Sequence, residues 1–422
     1  MIRNSARLTR LAALTGVSML SVTAAFAGDI SVWVWDPNFN GNAMRLAAER
    51  YEAINPEANV IIDDSSTQDD IRLKLQTQLL AGNTEGLPDI VLIQDDVAQK
   101  YLQSFPGAFE PLSDTIDMAA FAQYKVAAAT LDGKSYSVPF DSGVTGYFYR
   151  SDYFSEAGFT AEDLENITWD RLIEIGKVVQ EKTGHKLLDV DFAETGLVSA
   201  MMHSTGQWYF NEDGSLNILE NAALKKSLET YAALFAADLV QPVSDWADYT
   251  GSFTSGRTAS VPVGVWMTGT IKANPDQSGK WAVAPIPRMD FEGSINASNW
   301  GGSSWFVLSS APNKEEAVDF LNQIWAQDVD FYQEILVNQG AVGSLLAARE
   351  GEAYQSSDEF FGGEAVWQRF SQWLSEVPPI DYGLFTDEVR SAVEAQLPTI
   401  AQGGSVDEAL QAINAQAQQQ TQ

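Results

Sequence analysis

The sequence predicts an α/β protein of two doubly wound lobes joined by crossing segments. Three observations lead to this fold class. Strand-like and helix-like patterns alternate over residues 29–104, the 422-residue chain exceeds the size at which one core keeps growing, and two glycine-containing segments interrupt the pattern. We expect the ligand cleft to lie between the two lobes, where binding sites of two-domain proteins commonly form.

The first 27 residues have the pattern of a cleaved export signal. Three Arg residues precede an apolar run from Leu11 to Val22, and the small-residue cleavage pattern Ala-Phe-Ala follows at 25–27. The apolar run is short for a membrane span. We expect cleavage after Ala27 and an exported, soluble, unanchored mature chain.

Charge and cysteine content exclude several function classes. The chain has 57 acidic and 25 basic residues, and its net charge of −32 disfavours nucleic acid and anionic membranes as partners. The sequence contains no Cys, which excludes disulfides, thiolate metal sites, Cys nucleophiles and a lipid-attachment Cys. A free protein of a bacterial periplasm fits best, and a fully secreted protein is the alternative.

The amino-terminal third predicts three strand–helix units. The segment from Asp29 to Trp35 alternates as a half-buried strand does, and an amphipathic helix follows at 42–54. A second strand at 59–63 precedes a second helix at 69–81. The apolar run DIVLI at 89–93 is typical of a buried parallel strand. This βαβαβα order indicates a doubly wound sheet.

The pattern changes at Lys134. Two short strand-like runs flank residues 139–143, which we interpret as a first crossing between lobes, and Gly301-Gly302 is interpreted as a second. Helices are predicted between these crossings at 169–182, 197–204 and 224–237. Beyond the second crossing we predict a helix at 313–325 capped by Asn313, a closing helix at 405–417 and a disordered Gln-rich tail.

The segment 253–272 combines a strand, a tight turn and a helix start. A short apolar strand, 260–265, leads directly to Trp266. In open α/β sheets, the carboxyl ends of strands are where ligands bind. A Trp at this position suits a flat ligand with an apolar face, although the same residue could equally close the strand as part of the core.

Several motifs in order make the mature chain similar to a known family. They are LPDIVLIQDD at 87–96, DGKSYSVPFD at 132–141, GYFYRSDYFSEAG at 146–158, ITWDRL at 167–172, the segment 253–272, WGGSSWFVLSSAPNKEEAVDFL at 300–321 and SVDEAL at 405–410. The chain resembles extracellular solute-binding proteins of family 1, the periplasmic carbohydrate-binding subunits of ABC importers. It is more distantly similar to maltose-binding protein.

The resemblance implies a jaw-like protein of two lobes, each built from two parts of the chain. Lobe one is expected to comprise 28–139 and 302–340, lobe two 143–300 and 345–422, with hinges near 139–143, 300–302 and 340–345. The implied function is periplasmic binding of a mono- or oligosaccharide and its delivery to a membrane permease by lobe closure. A monomer without cofactor, metal or catalytic residues is expected, with no nucleic-acid partner.

The chemistry of sugar recognition narrows the choice of candidate ligand-binding residues. A pyranose stacks its C–H face on an aromatic ring, while carboxylates and amides accept hydrogen bonds from its hydroxyls. The candidates beside predicted strand ends and crossings are Trp35, Asp36, Asn38, Asp95, Asp96, Asp141, Trp266, Trp300 and Gly301. The resemblance to maltose-binding protein pairs Trp266 of this chain with a Trp that stacks on sugar in that protein.

Alternatives to ligand contact stay open for several of these residues. Asp36 could form a turn, Asp95 or Asp96 could cap a helix, and Trp35 could belong to the core. Gln-Trp-Tyr-Phe at 207–210 resembles the Glu-Pro-Tyr-Phe segment of maltose-binding protein, which makes Trp208 and Tyr209 further candidates. Weaker candidates are Trp246, Trp373, Asp381 and Phe385, whereas Trp33, Trp169, Trp305 and Trp325 are expected in the core.

Three other functions compete with sugar binding. A periplasmic binder of amino acids or peptides would need an Arg for the carboxylate, and the candidate loops contain none. An exported glycoside hydrolase would need two facing carboxylates, whereas the adjacent Asp95 and Asp96 point apart at a helix start. A metal-binding protein is disfavoured because His185 and His203 are distant in sequence and no HExxH motif occurs.

Overall fold

The computed structural model describes residues 28–192 and 194–421, so the predicted export signal lies outside it. Within these ranges the strands are β1 (Asp29–Trp33), β2 (Asn59–Asp63), β3 (Ile90–Gln94), β4 (Thr130–Leu131), β5 (Lys134–Ser135), β6 (Ser137–Arg150), β7 (Leu188–Asp191), β8 (Val240–Val243), β9 (Ser260–Gly264), β10 (Trp281–Pro285) and β11 (Asn299–Val307). The helices are α1 (Asn40–Ile54), α2 (Gln68–Leu80), α3 (Asp95–Ser104), α4 (Gln123–Ala128), α5 (Ser151–Glu156), α6 (Trp169–Thr183), α7 (Gly196–His203), α8 (Ala222–Ala236), α9 (Trp246–Thr254), α10 (Thr268–Ile271), α11 (Lys314–Phe320), α12 (Val329–Gln339), α13 (Glu352–Gln355), α14 (Val366–Leu374), α15 (Thr386–Glu394), α16 (Leu397–Ala401) and α17 (Val406–Gln420).

The main sheet has the strand order β10-β6-β11-β3-β1-β2, with β9 also paired to β6. The strands β2, β1 and β3 are parallel, as the predicted strand–helix units require, and β11 runs antiparallel to β3. A second, two-stranded parallel sheet pairs β7 with β8. The alternation predicted for the amino-terminal third is therefore confirmed, and β1 and β3 end at the same edge of the sheet.

The strand β6 differs from the prediction of two short runs. It is one strand of 14 residues, and every residue in it is buried. Its first half pairs with β11, and its second half pairs with β9 and β10 on either side. Pro139 does not end the strand, and Gly143 packs so tightly that an added Cβ would lie 2.5 Å from the carbonyl oxygen of Gly301. The long strand thus carries the chain through the predicted crossing without a turn.

The three predicted hinges lie side by side. Ser142 in β6 is the register partner of Gly302 in β11. The amide of Ser142 also donates to the carbonyl of Val342 at 2.9 Å, and Asp141 forms a bridge with Gly343. A bend at this level would therefore move all three segments together. The lobe boundaries given above are consistent with this arrangement and remain a proposal.

Buried aromatic side chains dominate the core on both sides of the crossing strands. Trp169, Trp305 and Trp325 are almost fully buried, and Trp33 is buried beneath the ammonium group of Lys74, as expected for core residues. Large side chains at these positions contribute roughly 3–5 kcal/mol each relative to Ala. The described chain contains no helix long and apolar enough to cross a membrane.

Two helix ends differ from the predictions in part. Asn313 occupies the predicted N-cap position of α11, but its side chain makes no capping hydrogen bond, and its amide instead donates to the carbonyl of Asp29 at 2.8 Å. The carboxyl-terminal tail is helical to Gln420 rather than disordered. In α17, Ser405 caps the first turn and Ala417 is buried against the core of the second lobe, so packing extends the helix beyond the predicted end.

Candidate functional site

Strand ends and crossings form the candidate cleft. On the lobe-one side, Trp35 follows β1 and Asp96 follows β3, while on the lobe-two side Trp266 follows β9. Because β1 and β3 are parallel neighbours, the loops after them emerge at one edge of the sheet. The crossing residues Trp300 and Gly301 lie between the two sides, at the start of β11.

Trp266 and Trp300 form the aromatic part of the candidate cleft, and both side chains are only half-buried. The indole N–H of Trp266 donates to the carbonyl oxygen of Trp300 at 2.8 Å, which fixes the orientation of the ring. Gly301 has φ +93°, and an added Cβ would lie 2.9 Å from the Trp266 indole nitrogen. The ring of Trp300 reaches the backbone of Gly196 at the start of α7.

A third Trp extends this aromatic surface outward. Trp246, at the start of α9, is 56% exposed and stacks on Trp266 with ring centroids 6.1 Å apart and planes 26° from parallel. The ring of Tyr249 also stacks on Trp246, with ring centroids 5.6 Å apart. The sequence alone ranked Trp246 as a weaker candidate because nothing in its local pattern indicates that α9 packs beside β9.

The carboxylate of Asp95 is occupied by protein groups. Its side chain is 3% exposed, it forms an ion pair with the fully buried Lys125, and it accepts a hydrogen bond from the Ser304 hydroxyl at 2.7 Å. Burial raises the pKa of Asp95 to about 6, although the charge of Lys125 acts in the opposite direction. This geometry favours a structural role for Asp95, holding α3 and α4 against β11.

The carboxylates of Asp141 and Asp96 differ in their hydrogen-bond partners. One oxygen of Asp141 accepts from both the amide and the hydroxyl of Ser303, at 2.8 and 2.6 Å, so this carboxylate ties the first crossing to the second. Asp96 accepts from the guanidinium of Arg390 at 2.7 Å through Oδ2, while its Oδ1 is buried and has no hydrogen-bond partner among the described residues. Each carboxylate thus has one oxygen engaged by protein groups, and Oδ1 of Asp96 is a buried acceptor that lacks a donor in the described part of the chain.

The loop after β1 is partly engaged in its own turn. Oδ1 of Asp36 accepts from the amides of Asn38 and Phe39 at 2.8 and 3.1 Å, which is the turn that the sequence left as the alternative. The side chain of Asn38 is exposed. Trp35 is half-buried and lines a small cavity of about 10 Å³ together with Arg72 and Gln94. Trp35, Asp36 and Asn38 thus lie in the loop between β1 and α1, at the carboxyl end of β1.

Trp208 and Tyr209 are buried in the part of the chain that we propose as lobe two. The indole N–H of Trp208 donates to the hydroxyl of Thr386 at 2.9 Å, and its ring packs edge-on against Tyr382. Tyr209 is fully buried, and burial raises the pKa of its phenol. These contacts favour a supporting role behind the candidate cleft for both rings.

Three polar residues near Asp96 had no signal in the sequence. Arg390 reaches Asp96 from α15, 294 positions along the chain. Asn299 is buried, with its Oδ1 lacking a hydrogen-bond partner. Burial and then the carboxylates of Asp96 and Asp95 raise the pKa of the Tyr382 phenol. The candidate loops themselves contain no Arg, but Arg390 reaches one of them from α15, where it is already paired with Asp96.

The two His residues do not form a metal site, and the part of the chain that the structure describes holds no cluster of metal-binding side chains. His185 stacks on Tyr153 with ring centroids 4.1 Å apart. His203 is buried in lobe two beside Trp208, and burial lowers its pKa to about 3.

The buried His203 predicts a specific pH dependence of stability. Because its folded pKa lies below the unfolded value of 6.5, the unfolded chain binds the proton more readily, and stability is lost as pH falls below 6.5. Between pH 7.5 and 5.5, wild type should lose about 1.4 kcal/mol of unfolding free energy relative to His203→Met. Urea titrations at both pH values measure this difference, and parallel pH profiles would contradict it.

The fold and the cleft define a class of two-lobed binding proteins, and the chain belongs to the bacterial extracellular solute-binding protein family, whose sequence pattern matches residues 47–362. It is 56% identical over 411 residues to a lactose-binding protein of Rhizobium radiobacter, with 97% of each chain covered.

Solved structures confirm the predicted fold class. The crystal structure of an extracellular solute-binding protein of family 1 superposes with a TM-score of 0.78 at 22% identity, covering 93% of this chain and 99% of that one. The sugar-binding protein MalE from Xanthomonas citri has a TM-score of 0.77 at 18% identity, covering 92% and 96% of the two chains. At such identities the likeness concerns the fold alone.

Proposed function

We propose that this chain binds a galactoside disaccharide of the lactose type between its lobes and delivers it to the permease of an ABC importer. The observation that carries the proposal is the 56% identity to a lactose-binding protein across nearly the whole of both chains. The cleft supports it with half-exposed aromatic rings beside acceptor groups, which is the combination that sugars require.

The proposed ligand residues come from both lobes. Trp266 and Trp300 supply stacking faces, and Gly301 lets the backbone approach closely. Asp96 supplies a carboxylate oxygen, while Trp35, Asp36 and Asn38 border the opposite edge. Four residues that the sequence also suggested are assigned to the supporting scaffold, namely Asp95, Asp141, Trp208 and Tyr209. Asp95, one oxygen of Asp141 and the indole of Trp208 are bonded to protein groups, and Tyr209 is fully buried.

Binding proceeds by closure of the lobes about the three adjacent crossings. The ligand touches both lobes only in the closed form, so it shifts the population toward that form. The closed protein then docks on the permease. No bond of the sugar is broken in this scheme, and the chain acts as a monomeric binding protein rather than an enzyme, without cofactor or nucleic-acid partner.

The proposed location is the bacterial periplasm. The export pattern of residues 1–27 supports cleavage after Ala27, and membership of an extracellular family supports an exported protein. A binder of amino acids is the second candidate function, because Arg390 does lie at the cleft. Its pairing with Asp96 leaves the guanidinium committed, which favours a neutral ligand.

A thermal-shift screen of residues 28–422 tests the proposed function. Lactose at 100 times its dissociation constant should raise the free energy of unfolding by about 2.7 kcal/mol, which is visible as a higher melting temperature. The panel includes maltose, arabinose oligomers, amino acids and divalent metal ions as controls. A response to an amino acid or metal ion without a response to any sugar would overturn the proposal.

A further inference from the structure

A group of ion pairs joins α15 to two helices on the other side of the cleft. Arg390 lies 2.7 Å from Asp96 in α3, and Asp387 lies 2.6 Å from Arg72 in α2. Lys100 of α3 pairs with Glu388 at 2.8 Å and also approaches Asp387. We call these six residues the α15 charge cluster. In the proposed division, α2 and α3 belong to lobe one and α15 to lobe two, so the pairs span the cleft.

The α15 charge cluster is partly removed from solvent. Its side chains are 21–27% exposed, whereas an ordinary pair such as Arg171–Glu174 on α6 is 49% and 68% exposed. Isolated exposed ion pairs contribute little because water and salt screen them. A connected network of partly desolvated charges is screened less, so its formation has a larger effect on the contact between the helices.

The overall charge of the chain makes this cluster unusual. Acidic residues outnumber basic ones by 57 to 25, and two acidic lobes repel each other as they approach. In the α15 charge cluster, three basic and three acidic groups balance. Basic residues thus stand where the lobes meet and offset the repulsion. Because the partners lie on different lobes, these pairs require the closed arrangement.

The central pair also orients a proposed ligand group. Arg390 holds Oδ2 of Asp96, while Oδ1 of the same carboxylate is buried without a partner. Asn299, on the crossing strand, likewise has a buried Oδ1 without a partner. A buried acceptor without a donor is costly, and the hydroxyls of a sugar are donors. Arg390 therefore fixes the direction in which Asp96 presents its remaining acceptor.

We propose that Arg390 is a positioning residue that couples lobe closure to ligand binding, by fixing Asp96 across the cleft at the centre of the α15 charge cluster. This inference rests on the proposed function, because it assigns a role within the same sugar-binding cleft. Arg390 would act on the ligand through Asp96. The affinity for sugar would also depend on the salt concentration.

Calorimetric titration of lactose into wild type, Arg390→Met and Arg390→Lys at 50 and 500 mM NaCl tests the proposal. Arg390→Met keeps much of the side-chain stem and removes the charge, so affinity at low salt should fall by about tenfold or more, with partial recovery in Arg390→Lys. The affinity of wild type should fall with salt more steeply than that of Arg390→Met. Arg171→Met removes an exposed pair within lobe two and should leave both affinity and salt dependence unchanged.

The readouts distinguish positioning from general support of the fold. Melting temperatures of the sugar-free variants report stability, and radii of gyration with and without lactose report closure. If Arg390→Met bound lactose with the same affinity and salt dependence as wild type, the proposed role of Arg390 would be overturned. The proposed binding of a sugar would remain intact. Failure of wild type to bind any sugar in the panel would instead overturn the proposed function, and this inference with it.

Discussion

Replacement of Trp266 by Ala should weaken lactose binding by about 1.5–3 kcal/mol, roughly 10-fold to 150-fold in the dissociation constant. The residue stands directly after β9, and its indole N–H is held by the Trp300 carbonyl at 2.8 Å, so the ring is presented in one orientation. A rigid aromatic face loses little conformational entropy when a sugar stacks on it, which makes it an efficient anchor. Calorimetric titration measures the change.

Two further variants separate the contributions of Trp266. Trp266→Phe keeps an apolar face and removes the donor to Trp300, so it should retain most of the affinity that Trp266→Ala loses. Leu80→Ala, at a highly exposed position on α2, should leave binding unchanged. Melting temperatures without sugar show whether each variant is folded. If folded Trp266→Ala bound lactose as tightly as wild type, the central site assignment would be wrong.

Gly302→Ala should reduce the free energy of unfolding by about 2–6 kcal/mol. The residue has φ +92°, where side chains are strained, and it lies at the level where the three crossings meet. An added Cβ would also lie 2.9 Å from the Asp95 carboxylate and 3.1 Å from the Gly143 amide. Neither neighbour moves easily, because Asp95 is paired with buried Lys125 and Gly143 is within β6. Urea unfolding followed by Trp fluorescence measures the loss.

Gly269→Ala provides the matched control for this substitution. Gly269 is exposed in α10, and an added Cβ would have no neighbour within 4 Å. Since Ala favours helix over Gly by up to about 1 kcal/mol, this variant should be as stable as wild type or slightly more stable. Equal stability of Gly302→Ala and Gly269→Ala would contradict the tight packing of the crossings.

Local periodicity was sufficient to predict the strands and helices of the amino-terminal third. The alternation after Asp29 and the apolar run ending near Gln94 each reflect burial within one element, which the sequence carries directly. The strand β6 was harder, because Pro139 and Gly143 are usual signs of a break. Only its pairing with three other strands keeps it continuous, and such pairing is not visible in a local pattern.

The sequence placed Trp266 at the end of a strand and Trp300 beside the crossing at Gly301-Gly302, and the structure has both at these places, while their contact with a ligand stays a prediction. The partners of the carboxylates were not visible in the sequence. Lys125 lies 30 positions from Asp95, and Arg390 lies 294 positions from Asp96. Two neighbouring acids with the same local pattern thus receive different roles from distant residues, one as part of the scaffold and the other with an acceptor still free.

A crystal structure of residues 28–422 with lactose tests the central claim most directly. The account predicts the sugar between the lobes, with one hexose ring over the face of Trp266 at van der Waals distance, about 4 Å, and a hydroxyl bonded to Asp96. Lactose bound outside this cleft, with the Trp266 face and the Asp96 carboxylate untouched, would contradict it.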